Sequence, residues 1–213
     1  MDSNYEITKH KMQEEFLRYD QEKIIERFHL DRDAEYLRFL FFGRACRIGR
    51  KTGRVECAED GRFREGDFNE AMTVYDLLSW SKPEAAPSGE YVLTQSLSPL
   101  MTSGAGLGEN GFYQREAVLF DHHTEELRAA AEALNGQETA GGDFSAYIDV
   151  FDGLRVMLRF WNSDDEFGPQ IQIFWDKNVL LYMHYETVWY ACGVLMSRIR
   201  QEMKRLINCG DKI

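Results

Sequence analysis

The side chains best suited to acid–base chemistry lie in the last third of the chain. Two aspartates follow predicted strands, and a histidine and a glutamate stand at the start of the predicted final helix. Strand pairing would bring both aspartates to one end of a sheet, close to that helix start. Histidines and carboxylates are the usual general acids and bases. The sequence therefore offers one candidate ligand-binding or catalytic site, made of Asp152, Asp176, His184 and Glu186.

These four residues also have ordinary structural interpretations. Aspartate is a common turn residue, which suits Asp152 and Asp176. A glutamate in the first turn of a helix, such as Glu186, is stabilised by the helix dipole. Both the chemical and the structural interpretation stay open at the level of sequence.

A run of arginines occupies the first third of an otherwise acidic chain. It comprises Arg44, Arg47, Arg50 and Arg54, all within a predicted hairpin. Clustered guanidinium groups can bind an anion or the acidic surface of a protein partner. The alternative is a solvated hairpin whose arginines pair with the carboxylates of the same chain. The first alternative predicts an anion or partner patch, and the second predicts no site.

Other patterns lack a necessary part of the site that they resemble. The glycines between 104 and 111 have no Gly-Lys-Ser/Thr ending and follow a poor strand, so we predict no nucleotide cofactor. His122 and His123 point about 100° apart on a helix, which disfavours their binding one metal. The cysteines show no C-x-x-C spacing. We therefore predict neither a metal nor a cofactor.

Composition narrows the classes of partner and compartment. The 213 residues carry a net charge of -11, which opposes attachment to nucleic acid or to an anionic membrane. The longest apolar run, Val188 to Met196, is too short to span a bilayer. The N-terminus has no features of a signal peptide, and the four cysteines have no close pair. We predict a cytoplasmic protein whose cysteines are all reduced.

Local patterns predict an α+β fold in a single domain, 1–213. Asp20 can cap one helix and either Asp67 or Asn69 can start another, and Leu154 to Phe160 alternates as a strand with one buried face. We predict a mostly antiparallel sheet flanked by helices, with the 96–111 loop irregular. The segments are N-terminal helices at 4–29, a hairpin at 35–58, a helical middle at 67–135, and a meander plus C-terminal helix at 144–207.

The final helix is apolar on more than one side in its first half. A helix of this kind is buried on two sides, so we predict that it packs on the sheet. Gly193 would allow a close approach. The alternative is that the same face forms a homodimer. The turn at Asp152-Gly153 would misalign the faces of its two strands, so we predict a bulge there.

Several segments together resemble a family of bacterial proteins catalogued as a domain of unknown function. They are Asn4-Tyr5-Glu6, Phe41-Phe42-Gly43-Arg44, Tyr75-Asp76-Leu77-Leu78, Phe160-Trp161, Asp165-Glu166-Phe167-Gly168-Pro169 and Ile173-Phe174-Trp175-Asp176, followed by Tyr182, Glu186 and Gly193. The resemblance implies one domain and an accessory role in anaerobes, alone or beside corrinoid or iron–sulfur modules. It implies no catalytic residues. The chain departs from the family pattern at His184, where proline is usual, and also at Thr187 and Gly168.

Two function classes follow. The first is a non-catalytic binding or accessory module that recognises a protein partner or a small ligand. The second is an enzyme that uses the carboxylates and His184 near the start of the last helix, possibly with a metal. We favour the first, because no motif supplies a nucleophile, a cofactor loop or a local metal cluster. A polar pocket at Asp176 and Glu186 would reverse this order.

Overall fold

The structure is a computed structural model that describes residues 4–97 and 113–210, with side chains through residue 206. Most of the predicted 96–111 loop lies outside the described residues. The helices are α1 Asn4–Phe16, α2 Gln21–Phe28, α3 Phe68–Trp80, α4 Gln114–Phe120, α5 Thr124–Ala133, α6 Val179–Tyr182 and α7 Tyr185–Gly210. The strands are β1 Asp31–Arg32, β2 Tyr36–Phe41, β3 Arg44–Gly49, β4 Val55–Glu59, β5 Arg62–Glu65, β6 Tyr91–Leu93, β7 Gln137–Glu138, β8 Phe144–Phe151, β9 Leu154–Trp161 and β10 Gln170–Asp176.

The predicted α+β class is confirmed, with two antiparallel sheets in place of one and a long C-terminal helix packed on the sheet. The chain forms two compact units. The first contains Met1–Ala86 and Asn178–Val194, and the second contains Pro87–Lys177 and Leu195–Ile213. The prediction of a single domain stays a prediction. No helix within the described residues combines the length and apolarity that a membrane crossing requires.

The first unit contains an antiparallel meander of five strands in the order β1-β2-β3-β4-β5. The predicted hairpin at 35–58 is therefore only part of a larger sheet, because β1 and β5 add a strand at each edge. Helices α1 and α3 pack together, and α3 contacts β4. Asp67 caps α3 as predicted, in a capping box with Glu70: the Asp67 carboxylate accepts from Glu70 N, and the Glu70 carboxylate accepts from Asp67 N.

A disulfide joins Cys46 on β3 to Cys57 on β4. The prediction that all four cysteines are reduced is therefore wrong for this pair. Their 11-residue separation gives no sign of proximity, but the antiparallel register places them directly opposite each other, with Cα atoms 4.1 Å apart. The disulfide removes the support that reduced thiols would lend to a cytoplasmic location, and that location stays a prediction.

The second unit contains a sheet in the order β6-β10-β9-β8-β7. Leu154, Val156, Leu158 and Phe160 on β9 are buried, as their alternation predicts. Helix α4 contacts β10, and α5 contacts β8. The predicted bulge is confirmed between Asp149 and Phe151. The polar segment 137–143 begins with β7, which pairs with β8.

Candidate functional site

Asp176 is a fully buried anchor for a neighbouring loop of the second unit. Its Oδ1 accepts hydrogen bonds from the backbone N–H and the hydroxyl of Ser88, both at 3.0 Å, and its Oδ2 accepts from Gly89 N at 2.8 Å. Asp152 lies exposed in the β8–β9 turn with a φ of 48°. Both carboxylate oxygens of Asp176 accept hydrogen bonds from the loop at Ser88 and Gly89. These bonds give Asp176 a structural role, which is to anchor that loop.

In the first unit, His184 pairs with Asp76 on α3. The Asp76 carboxylate lies 2.7 Å from His184 Nδ1, and its other oxygen accepts the backbone N–H of His184 at 2.7 Å. Glu186 accepts a hydrogen bond from the hydroxyl of Tyr190 at 2.8 Å. Burial and this bond to Glu186 raise the pKa of Tyr190 to about 12, so its hydroxyl stays protonated at neutral pH.

Asp76 did not belong to the predicted site, because it precedes His184 by 108 residues. The only sequence signal for it was its place in the Tyr75-Asp76-Leu77-Leu78 segment that carries the family resemblance. The Trp80 ring lies against His184, with centroids 3.7 Å apart, and Lys82 Nζ lies 3.6 Å from the Trp80 centroid. His184 immediately precedes α7, and its backbone N–H donates to the Asp76 carboxylate. Asp76 therefore also caps the start of that helix.

The predicted arginine patch is paired with carboxylates of its own unit. Arg44 bonds the buried Glu70, and Arg47 donates to Glu56 at 2.6 Å. Arg50 lies 2.7 Å from Glu22, and Arg54 lies 3.6 Å from Glu65. This geometry supports the interpretation in which the arginines neutralise the chain's own acids.

Glu70 is the centre of the most buried ionic cluster of the first unit. It is 2% exposed and also accepts hydrogen bonds from Arg64 Nη1 at 2.7 Å and Nη2 at 3.0 Å. Burial by itself would raise the pKa of Glu70, but the bond from Arg64 and the charge of Arg44 outweigh it and hold the pKa below its usual range. The cluster therefore stabilises a charged carboxylate inside the unit.

The second unit has a cavity of about 560 Å³ beside the loop that joins β9 to β10. Most of the lining comes from this loop and the strand ends next to it, and Asp143 contributes from the residue before β8. The lining residues are Asp143, Trp161, Asn162, Ser163, Asp164, Phe167, Gly168 and Gln170. This volume falls in the range of about 300–1,000 Å³ that is usual for small-ligand sites. The cavity is therefore the candidate functional site.

Hydrogen bonds hold the shape of the cavity loop. Asn162 N donates to Asp143 Oδ2 at 2.7 Å, and Asn162 Oδ1 accepts from His122 N at 2.8 Å. Asp164 Oδ1 accepts the backbone N–H groups of Glu166 and Phe167 at 2.8 and 2.7 Å. These two bonds hold the pKa of Asp164 below its usual range, so it is negatively charged at neutral pH.

Ser163, His122 and Asp121 have the residue types of a catalytic triad, but their hydrogen bonds run in the wrong direction. Ser163 Oγ lies 2.7 Å from Asp121 Oδ2 and 3.3 Å from His122 Nε2. Burial opposes ionisation of Asp121, but the backbone and hydroxyl of Ser163 lower its pKa, so Asp121 is an acceptor. The single hydroxyl hydrogen of Ser163 then points to Asp121, so His122 Nε2, 3.3 Å away, does not receive it in this arrangement. The geometry therefore differs from that of a triad, in which the serine hydroxyl donates to the histidine.

The described residues contain no group of three or more His, Cys, Asp or Glu side chains placed to hold a metal ion. Among the described residues that line the cavity, the two carboxylates Asp143 and Asp164 are the charged ones. The arrangement is therefore suited to binding a hydrogen-bond donor or a cation through oxygen atoms and aromatic rings.

A comparison with protein families matches residues 20–198 to the family described as Domain of unknown function (DUF3786). The chain belongs to this family. No curated protein and no solved structure matches the chain. Every residue that lines the cavity lies within the part of the chain that matches the DUF3786 family.

Proposed function

We propose that this DUF3786 protein is a non-catalytic binding module, and that the cavity at the β9–β10 loop binds a small organic cation with an apolar group. The observation that carries the proposal is the lining of the cavity of about 560 Å³: the described residues that line it include two carboxylates and two aromatic rings, and none of them is basic. The setting is part of the same proposal: an accessory role in anaerobic bacteria, which the family resemblance implies, and a cytoplasmic location, which the sequence predicts.

The carboxylates of the cavity keep oxygens that can accept a ligand's hydrogen bonds. Asp143 uses Oδ2 for Asn162, and Asp164 uses Oδ1 for the turn of its own loop. The other oxygen of each accepts no hydrogen bond from any described residue. An ammonium group that donates to these oxygens forms charge-assisted hydrogen bonds, which are about twice as strong as neutral ones.

The aromatic rings supply the apolar part of the site. Trp161 is half-buried, whereas the side chain of Phe167 is 62% exposed. An exposed aromatic side chain beside a cavity loses unfavourable contact with water when a ligand covers it. Both rings can also attract a cation through their faces. A ligand with an amine and an aromatic group matches this combination.

Isothermal titration calorimetry with 2-phenylethylamine and 3-phenylpropionate tests the proposal. The two probes share a phenyl group and carry opposite charges, so the amine should bind and the carboxylate should not. The double variant Asp143→Asn/Asp164→Asn keeps the acceptor oxygens of the loop but removes both charges. It should weaken amine binding by about tenfold or more.

The matched control is Asp165→Asn/Glu166→Gln, which removes two charges from the same loop at residues that do not line the cavity. It should bind 2-phenylethylamine nearly as well as the wild type. The proposal fails if the amine does not bind, or if the control variant loses as much affinity as the cavity variant, since a general acidic surface would explain that result.

A second candidate function rests on the His184–Asp76 pair. Asp76 orients the imidazole through Nδ1, which leaves Nε2 as the nitrogen that can take a proton. We propose this pair as the site of the alternative, an enzyme that uses His184 as a general base. Hydrolysis of p-nitrophenyl acetate should then fall in both His184→Gln and Asp76→Asn but not in His10→Gln, which changes an exposed histidine. Equal rates in all four proteins would rule out this alternative.

A further inference from the structure

Arg159 is two residues before Trp161 on the same face of β9 and forms no salt bridge with a carboxylate of the described residues. It is not itself a lining residue of the cavity and adjoins it through Trp161, which is one. Its Nε donates to Ser145 Oγ at 3.2 Å, and neither terminal nitrogen is hydrogen-bonded to a described residue. The guanidinium carbon lies 5.2 Å from the centre of the Phe174 ring and 6.0 Å from that of Trp161. The guanidinium is therefore held by aromatic rings, with donors left over for a ligand.

The turn that lies against Arg159 leads directly into a carboxylate of the cavity. Gly141 has a φ of 129°, and a Cβ there would lie 2.6 Å from Arg159 Nε, so only glycine leaves room for the guanidinium. Gly142 has a φ of 63°, and a Cβ there would lie 2.4 Å from Phe160 O. Asp143 follows directly and lines the cavity. The same turn thus lies against the guanidinium of Arg159 and leads directly into Asp143.

These opposite charges do not neutralise each other. The described side chains form no salt bridge between Arg159 and either Asp143 or Asp164, so their nitrogens and oxygens are more than 4.0 Å apart. By contrast, Arg155 on the same face of β9 donates to Asp149 at 2.6 Å. Unpaired opposite charges that are held apart around an aromatic ring are complementary to a ligand that carries both charges.

We propose that the ligand is a zwitterion of the amino-acid type. Its ammonium group would bind the carboxylates of Asp143 and Asp164, its carboxylate would bind the guanidinium of Arg159, and its apolar group would cover Trp161. This inference rests on the proposed function, because it takes the cavity as the cation site, and it adds the anionic half of the ligand. Arginine suits that role because its planar group binds a carboxylate through two parallel hydrogen bonds.

A matched series of three probes tests the inference by calorimetry. L-Phenylalanine carries both charges, 2-phenylethylamine lacks the carboxylate, and 3-phenylpropionate lacks the amine. We expect phenylalanine to bind about tenfold more tightly than the amine, the gain from one charge-assisted contact. Arg159→Gln should remove this advantage without weakening binding of the amine, and Arg159→Lys should keep part of it. Circular dichroism and thermal melts of each variant verify that it is folded.

Arg155→Gln is the control, because it removes the same charge four residues away on the same strand from an arginine already paired with Asp149. It should keep the preference for phenylalanine. If the amine binds as tightly as phenylalanine, or if Arg155→Gln abolishes the preference as Arg159→Gln does, the inference is overturned while the proposed function stands. If no probe binds, or if the carboxylate binds more tightly than the amine, both are overturned.

Discussion

In the first unit, the carboxylate of Glu70 accepts hydrogen bonds from Arg44, Arg64 and the backbone of Asp67, and almost none of it is exposed. In the second unit, Asp143 and Asp164 each use one oxygen to hold a loop and leave the other without a described partner. A carboxylate whose oxygens accept hydrogen bonds inside the protein stabilises the fold. A carboxylate at a cavity that has an oxygen without such a bond can bind a ligand.

The comparison predicts opposite consequences for losing a charge in the two regions. Removing a carboxylate from the Glu70 cluster should lower stability, because it leaves buried arginine charge uncompensated. Removing one from the cavity should lower affinity for a cation and leave stability almost unchanged. The predictions below are ordered from the largest expected effect to the smallest.

Glu70→Gln should lower the free energy of unfolding by about 3–5 kcal/mol, measured by urea denaturation, because Arg44 stays buried without its countercharge. Glu56→Gln is the control. It breaks the pair with Arg47, in which both side chains are about one-fifth exposed, and should cost about 1 kcal/mol or less. Equal costs for the two variants would show that burial does not distinguish the two pairs.

The acid dependence of stability should follow from the same residue. The pKa of Glu70 is lower in the folded protein than in the unfolded chain, where it is about 4.3. The stability that ionised Glu70 contributes is therefore fully present above about pH 4.3 and is lost as the pH falls through the pKa of the folded protein. The wild type should therefore lose stability more steeply below about pH 4 than Glu70→Gln does. Parallel pH profiles from denaturation at several pH values would contradict this assignment.

Leu195→Ala tests how much an apolar site of the second unit contributes to stability, for comparison with the Glu70 cluster of the first unit. Leu195 on α7 is fully buried, so emptying its site should cost about 2–5 kcal/mol. Denaturation measures this cost, and size-exclusion chromatography of the same variant tests the alternative prediction that this face of the helix forms a homodimer. If the wild type is a dimer and the variant is a folded monomer, Leu195 lies at the dimer interface. Unchanged stability and unchanged size would show that this part of α7 is peripheral.

Reduction of the Cys46–Cys57 disulfide should lower the free energy of unfolding by about 3 kcal/mol, from the loop entropy that an 11-residue link removes from the unfolded chain. The double variant Cys46→Ala/Cys57→Ala should be insensitive to the reductant. Thiol titration of the unfolded, unreduced wild type should find two thiols fewer than after reduction. Four reactive thiols without reductant would contradict the disulfide.

The triple variant Asp164→Asn/Asp165→Asn/Glu166→Gln should melt at the temperature of the wild type within the scatter of repeated melts. All three residues are exposed, and asparagine at 164 keeps the oxygen that accepts the N–H groups of Glu166 and Phe167. The same variant should bind 2-phenylethylamine more weakly. A melting point several degrees lower would show that the loop charges stabilise the fold, as the charge of Glu70 does.

The sequence by itself determined the starts of two helices and the main features of the β8–β9 hairpin. The caps at Asp20 and Asp67, the alternation along Leu154 to Phe160 and the bulge before the β8–β9 turn all follow from neighbours a few residues apart. These features depend on local backbone geometry and on one buried face, which a short window of residues records.

Only the tertiary structure decided which residues meet. It divided the predicted sheet into two, joined Cys46 to Cys57, and paired His184 with Asp76 across 108 residues. It also showed that Arg44 pairs with Glu70, whereas Arg159 on β9 has no carboxylate partner among the described residues. Such pairings depend on strand register and on the packing of distant segments, and residue types in one segment do not encode the position of the other.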